Sequence, residues 1–112
     1  MAHGVKSCTT AQVGTTIDNL AGTITQILFT VPPNAYEIPT FDPTTGYPTA
    51  GYFCLLDNSV SPPIRLFNFT PHSNGGYASP HASHKVSAYG IPFGSLYLQS
   101  CPAGATFSLT TA

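Results

Sequence analysis

The side chains best equipped for chemistry form one small cluster and several scattered singles. His81-Ala82-Ser83-His84, with His72 nearby, is the densest group of imidazoles in the chain. Such a group could hold a metal ion if carboxylates or thiolates converged on it. No Asp or Glu follows Asp57, and both His81 and His84 sit in a Pro/Gly/Ser-rich stretch. The expectation is therefore polar loop residues, with a symmetry axis gathering one histidine from each copy as the one serious route to a metal. The carboxylates Asp18, Glu37, Asp42 and Asp57 show no spacing that would pair two of them for acid–base work on a glycoside. Cys54 could act as a nucleophile beside a histidine, but it lies within Tyr52-Phe53-Cys54-Leu55-Leu56, which has the character of a strand core. Ser95 follows a glycine without the Gly-x-Ser-x-Gly elbow, and Asn74-Gly75-Gly76 lacks the lysine and helix of a phosphate loop. No catalytic residue, cofactor site or metal site is expected, and the chain does not read as an enzyme.

The aromatics are more suggestive. Tyr47, Tyr52, Tyr77 and Tyr89 lie beside Pro or Gly, and Tyr36 and Phe41 within three residues of a Pro, all in or near loops. Rings so placed can stack on sugars or protein surfaces, or simply anchor loops against prolines. Both uses stay open, and these residues are the candidate interaction set.

The elements that would carry these residues follow from composition. The 112 residues include only 6% charged side chains, Lys6, Arg65, Lys85, Asp18, Glu37, Asp42 and Asp57, whereas 42% are hydrophobic. An ordinary soluble domain has roughly 25% charged residues, which keep its surface wetted and apart from its neighbours. So little charge points to a surface covered by partners, and hence to assembly. A net charge of −1 gives no basic footprint for nucleic acid. No apolar run reaches the ~20 residues that span a membrane. The opening Met1-Ala2-His3-Gly4-Val5-Lys6 lacks a secretory apolar core, so synthesis in a cytoplasm is expected. Cys8, Cys54 and Cys101 fit no zinc or redox spacing and read as buried small hydrophobes.

Eleven prolines and 10 glycines punctuate short apolar runs that also hold 6 Tyr and 7 Phe. That pattern predicts strands joined by tight turns. Thr23 to Val31 reads as a strand buried on two sides, with Ile24 and Leu28 on one face and Ile27, Phe29 and Val31 on the other. Further strands are expected at Ala35–Ile38, Gly51–Leu56, Ile64–Thr70 and Ser83–Tyr89. Ser95–Ser100 alternates Leu96 and Leu98 against Tyr97 and Gln99, and Ala105–Thr111 sets Phe107 and Leu109 against Thr106, Ser108 and Thr110. Asp42 to Ala50 is turn chemistry throughout. The expected fold is all-β: a single antiparallel β-sandwich, jelly-roll-like, over 23–112, preceded by an extended N-terminal arm over 1–22.

Two segments carry a resemblance. Ile24-Thr25-Gln26-Ile27-Leu28-Phe29-Thr30-Val31-Pro32-Pro33-Asn34-Ala35-Tyr36 resembles the strand–turn–strand opening of small tailed-phage virion structural proteins. Gly94-Ser95-Leu96-Tyr97-Leu98-Gln99-Ser100, followed by Ala103-Gly104-Ala105-Thr106-Phe107-Ser108-Leu109-Thr110, resembles their closing hairpin. Pro33-Asn34 departs from the small-residue–Gly turn of that family, and Thr40 to Tyr89 has no counterpart in it.

The resemblance implies a β-sandwich in a bacteriophage virion, most concretely a capsid cement or decoration protein on the capsid surface. It would bind between capsomers, with the major capsid protein as partner and homotrimeric self-association. The arm would reach to a neighbour, and Tyr36 to Tyr52 would carry trimer contacts. The alternative is a tail-fibre or adhesin-type recognition module that binds host surface glycans through its tyrosine loops. Neither reading calls for nucleic acid, a membrane or a cofactor.

Overall fold

A computed structural model describes residues 3–31, 38–69, 82–86 and 90–112. The described chain is all-β and antiparallel, with no α-helix and therefore no helix long and apolar enough to cross a membrane. Two sheets share one core. The first joins β1 (Gly4–Cys8), β11 (Thr106–Thr111), β3 (Gly22–Val31) and β8 (Ala82–Val86) in that order, and β9 (Ile91–Phe93) pairs with the opposite end of β3. The second joins β2 (Thr16–Asp18), β10 (Leu96–Ser100), β6 (Phe53–Asp57) and β7 (Ile64–Phe69). A small hairpin, β4 (Thr40–Phe41) with β5 (Pro48–Ala50), lies between β3 and β6 in the chain. Among the described strands, apart from that hairpin, β6–β7 is the one pair of consecutive strands joined within a sheet; the other successive strands alternate between the two sheets, except that β8 and β9 both pair with β3.

The core forms where inward residues of the two sheets meet. Ile24, Ile27, Phe107 and Leu109 come from the first sheet, and Phe53, Leu55, Leu96 and Leu98 from the second. Phe53 sits at the centre, its ring 4.1 Å from that of Phe107 and 5.8 Å from that of Phe67. Each such fully buried side chain contributes about 1.5–3 kcal/mol relative to exposure. The alternation expected for β10 and β11 is present: Leu96, Leu98, Phe107 and Leu109 are buried, while Tyr97, Gln99, Ser108 and Thr110 are half-buried. On β6 the residues facing away from Phe53 and Leu55, namely Cys54 and Leu56, are sealed as well. Part of that outer face is covered by the β4–β5 hairpin, where the Gln99 amide donates to the Pro48 carbonyl at 3.3 Å.

Two expectations require correction. On β3, Ile24 and Ile27 both point inward and Leu28 is exposed, so Ile24 and Leu28 do not share a face. The pairing with β11 slips between Thr110 and Thr111, which oppose Gln26 and Ile24. The extra residue, Thr25, is a bulge that returns the next apolar side chain to the same face. The outer face of β3 is thus open at Leu28 and not buried on both sides.

Nor are residues 4–22 an extended arm. β1 pairs with β11 from Gly4↔Thr111 to Cys8↔Phe107, and β2 pairs with β10. Between them Thr10–Gln12 makes a capped 3-10 turn: the Thr9 N–H donates to Gln12 Oε1 at 2.6 Å, and the Thr9 hydroxyl accepts from the Ala11 N–H at 3.2 Å. Cys8 and Ile17 enter the core. The small polar residues that suggested an arm instead face outward from two edge strands. The strand expected at Ala35–Ile38 lies, apart from Ile38, outside the described residues.

Candidate functional site

Of the six candidate aromatics, Tyr36, Tyr77 and Tyr89 lie outside the described residues. The structure brings the other three to the β4–β5 hairpin. Its turn is built by Asp42, whose side chain accepts from the Thr44 N–H at 2.8 Å and whose carbonyl accepts from the Gly46 N–H at 2.7 Å. Gly46 has φ +77°, a conformation that a side chain resists. This turn sets Phe41 on one strand against Tyr52 just beyond the other, ring centroids 5.6 Å apart and tilted by 57°. Phe41 remains 51% exposed. Tyr47 is differently occupied: its hydroxyl donates to the Pro63 carbonyl at 2.6 Å and ties the hairpin to the β6–β7 loop. Just beyond that anchor stands Ile64, 54% exposed. The hairpin therefore offers one open ring backed by a second, with a third holding the platform in place. Aromatic pairs of this kind are worth about 0.5–1.5 kcal/mol beyond their burial.

A second cluster was not foreseen. Asp18 is 0% exposed, yet its carboxylate is well satisfied. It accepts from the Leu20 N–H at 3.0 Å, the Thr111 hydroxyl at 2.7 Å and His3 Nδ1 at 3.0 Å, and Lys6 Nζ lies 3.7 Å away. Burial pushes the carboxyl upward, but these hydrogen bonds and the Lys6 charge outweigh it and hold the group below its ordinary range. The other ring nitrogen of His3, Nε2, faces the Ala21 carbonyl at 3.2 Å. Neither ring nitrogen is left free to serve as a base.

The knot binds β1, β2 and β11 together beside Gly22. A Cβ at Gly22 would stand 2.5 Å from both the Ala112 carbonyl oxygen and His3 Cε1. Scarcity was the sequence's one clue to this cluster: Asp18, Lys6 and His3 are polar exceptions in an almost uncharged stretch. Next to the knot, a groove of about 660 Å3 runs between the β1 and β2 edges, lined by Val5, Ser7, Gln12, Thr15 and Thr16 among others.

Asp57 ties a third knot. It accepts from the Ser59 N–H and hydroxyl at 3.0 and 2.6 Å, and from the Gly94 and Ser95 N–H groups at 3.0 and 3.1 Å. Here too burial acts upward and the four donors prevail, bringing the carboxyl down to about 2. All three described aspartates are thus consumed by turns, each accepting from the N–H two residues ahead. Of the charged residues whose burial is described, Lys6, Asp18, Asp42, Asp57 and Arg65, only Arg65 is exposed.

Cys8, Cys54 and Cys101 are buried, as the composition led one to expect. Burial pushes the Cys8 thiol up and takes that of Cys54 to about 11, against the opposing charges of Lys6 and Arg65. His72 and His81 fall outside the described residues, and His84 lies on β8 opposite Phe29. Among the described residues no three His, Cys, Asp or Glu side chains gather as a metal site would require. No protein-family model, curated protein or solved structure matches this chain.

Proposed function

We propose that this chain is a virion structural protein of a tailed phage, a capsid cement or decoration protein that binds between capsomers and associates with copies of itself, most simply as a homotrimer. The observation that carries this reading is the placement of charge. Among the residues whose burial is described, Lys6, Asp18, Asp42 and Asp57 are drawn into the fold and Arg65 is the one exposed charge, while Val5, Phe41 and Ile64 lie open to solvent. A surface with so little charge to keep copies apart suits a protein that works in contact with neighbours. The connectivity also favours it. Leaving aside the β4–β5 hairpin and counting β8 and β9 as one interrupted edge, the order β1-β11-β3-β8 against β2-β10-β6-β7 supports reading the fold as a jelly-roll sandwich. That architecture is common in viral capsid and lectin domains. The two segments resembling phage structural proteins are neighbours, since Phe107 of β11 pairs with Phe29 of β3. A cement protein acts by linkage: binding only the assembled shell, it stabilises that shell.

The Phe41–Tyr52 platform favours a second reading, a recognition module that stacks a sugar on the open Phe41 ring. One experiment separates the two. The purified chain is sedimented with empty shells assembled from the major capsid protein of the same genome, and in parallel applied to a glycan array. Saturable co-sedimentation, weakened by Phe41→Ser, supports cement. Failure to co-sediment at micromolar concentration overturns it, and glycan hits lost in Phe41→Ser would put recognition in its place.

A further inference from the structure

We propose that β1 is a self-pairing edge, through which two copies of this chain join antiparallel about a twofold axis. β1 ends the first sheet and pairs with β11 on one side only. Alternate N–H and C=O groups of an antiparallel strand point to each side, so those turned from β11 line an open edge beside the groove. Such edges are ordinarily protected by an outward charge, a proline or extreme shortness. The other strands that end the two sheets carry one of these devices. β7 has the exposed Arg65 and follows Pro62-Pro63, and β8 includes Lys85. β2 is three residues long, and β9 is equally short and holds Pro92. β1 has none of them. Its five residues contain no proline, and its one charge, Lys6, turns inward to lie 3.7 Å from Asp18 with only 10% of the side chain exposed. Outward from the same strand stands Val5, 70% exposed.

Charge and symmetry choose the occupant. An edge whose lysine is already answered by Asp18 offers nothing to attract an acidic strand, and a net charge of −1 does little to keep a second copy away. Antiparallel pairing of identical strands is self-complementary, because the twofold axis repeats every contact. One register opposes all five residues: Gly4 faces the partner's Cys8, Val5 the partner's Ser7, and Lys6 the partner's Lys6. Like charges directly opposite weaken a strand pair, but each ammonium here lies against its own buried carboxylate. The pairing covers Val5 and continues the first sheet from one copy into the next. Five residues of edge bury less than the about 1,200 Å² of a stable complex, so the contact is weak in dilute solution and gains where copies are crowded together. It stands apart from the cement reading, although a shell would supply that crowding.

The test is sedimentation velocity of the intact chain from about 10 μM to 1 mM, with amide exchange followed at both ends of that range. The expected result is a mean mass that rises with concentration. The β1 amides that exchange freely in dilute solution become protected at the concentrated end, while Leu55 and Leu98 amides in the core strands are unchanged. Val5→Lys supplies the missing outward charge and moves association about tenfold higher in concentration. Asn58→Lys adds the same charge on the β6–β7 loop and leaves association as it was. Val5→Cys and Ser7→Cys chains, mixed and mildly oxidised, cross-link to each other faster than either does to itself, because opposed residues lie about 4.5–5.5 Å apart, within disulfide reach. A mass that stays constant up to 1 mM, or association that Val5→Lys leaves unchanged, overturns the proposal. So do β1 amides that gain protection only on empty shells of the major capsid protein, which would give the edge to the shell. Should Val5→Lys not fold, the cross-linking and the wild-type exchange decide.

Discussion

Replacing Asp57 with Asn isolates the energetic value of a carboxylate that accepts four hydrogen bonds. In the wild type Oδ1 takes the Ser59 N–H, the Ser59 hydroxyl and the Ser95 N–H, while Oδ2 takes the Gly94 N–H. Asn keeps one oxygen but turns an NH2 toward a donor. The carboxyl is held at about 2 against an ordinary 3.8. At 1.36 kcal/mol per pH unit that difference corresponds to at most ~2.5 kcal/mol, and partial solvent access reduces it to about 1–2 kcal/mol.

The sign follows from linkage. A carboxyl held down in the folded state contributes its full stability above the unfolded value, and loses it as pH falls toward the folded one. The wild type should therefore exceed Asp57→Asn by about 2 kcal/mol near neutrality, including the Gly94 N–H left unpaired. In thermal unfolding that is about 8 °C for a domain of this size. The assay is urea or thermal unfolding of both proteins from neutral pH down to about pH 2. Asp18 titrates in both chains and cancels in the difference. A gap that narrows from about pH 4 downward is expected. A gap of equal size at both ends would refute the reasoning, because it would show that the charge on Asp57 contributes nothing.

Phe53→Ala should cost about 3–5 kcal/mol in chemical unfolding, since its ring fills the space between Phe107 and Phe67; a loss under 1 kcal/mol would mean the sheets close over the gap. Gly22→Ala should destabilise by about 1–3 kcal/mol by driving a methyl into the Ala112 carbonyl and His3, and a neutral result would show that β1 and β11 yield freely there. Cys8, Cys54 and Cys101 should resist a thiol-specific disulfide reagent in the native state and all react in denaturant, whereas rapid native labelling would contradict their burial.

Legibility tracked locality. The strands β10 and β11 could be read residue by residue, because Leu96, Leu98, Phe107 and Leu109 alternate without interruption and the alternation is itself the burial pattern. On β3 the same logic failed at one residue: the bulge at Thr25 leaves no compositional mark, yet it shifts every inward position after it. Residues 4–22 were misread because short edge strands bury little. Only Cys8, Ile17 and Asp18 among them are fully enclosed, too few to rise above a polar background. The knot around Asp18 was out of reach for another reason. His3 and Thr111 lie 15 and 93 residues from it in sequence, and only the crossing of both sheets' edges brings them together. The hairpin aromatics could be named in advance, but not their division of labour. That Tyr47 anchors while Phe41 stays open depends on where the Pro63 carbonyl falls.

The scarcity of charge also has a kinetic consequence. A protein with 3 basic and 4 acidic side chains in 112 residues, and a net charge of −1, projects almost no field beyond its own surface. Whatever binds it arrives by diffusion without steering, at about 10⁵–10⁶ M⁻¹s⁻¹ and not the far faster rates of oppositely charged partners. Added salt, which shortens the reach of surface charges, has little here to screen. Attachment should therefore proceed at nearly the same rate in dilute buffer and in brine, and tight binding must come from slow departure.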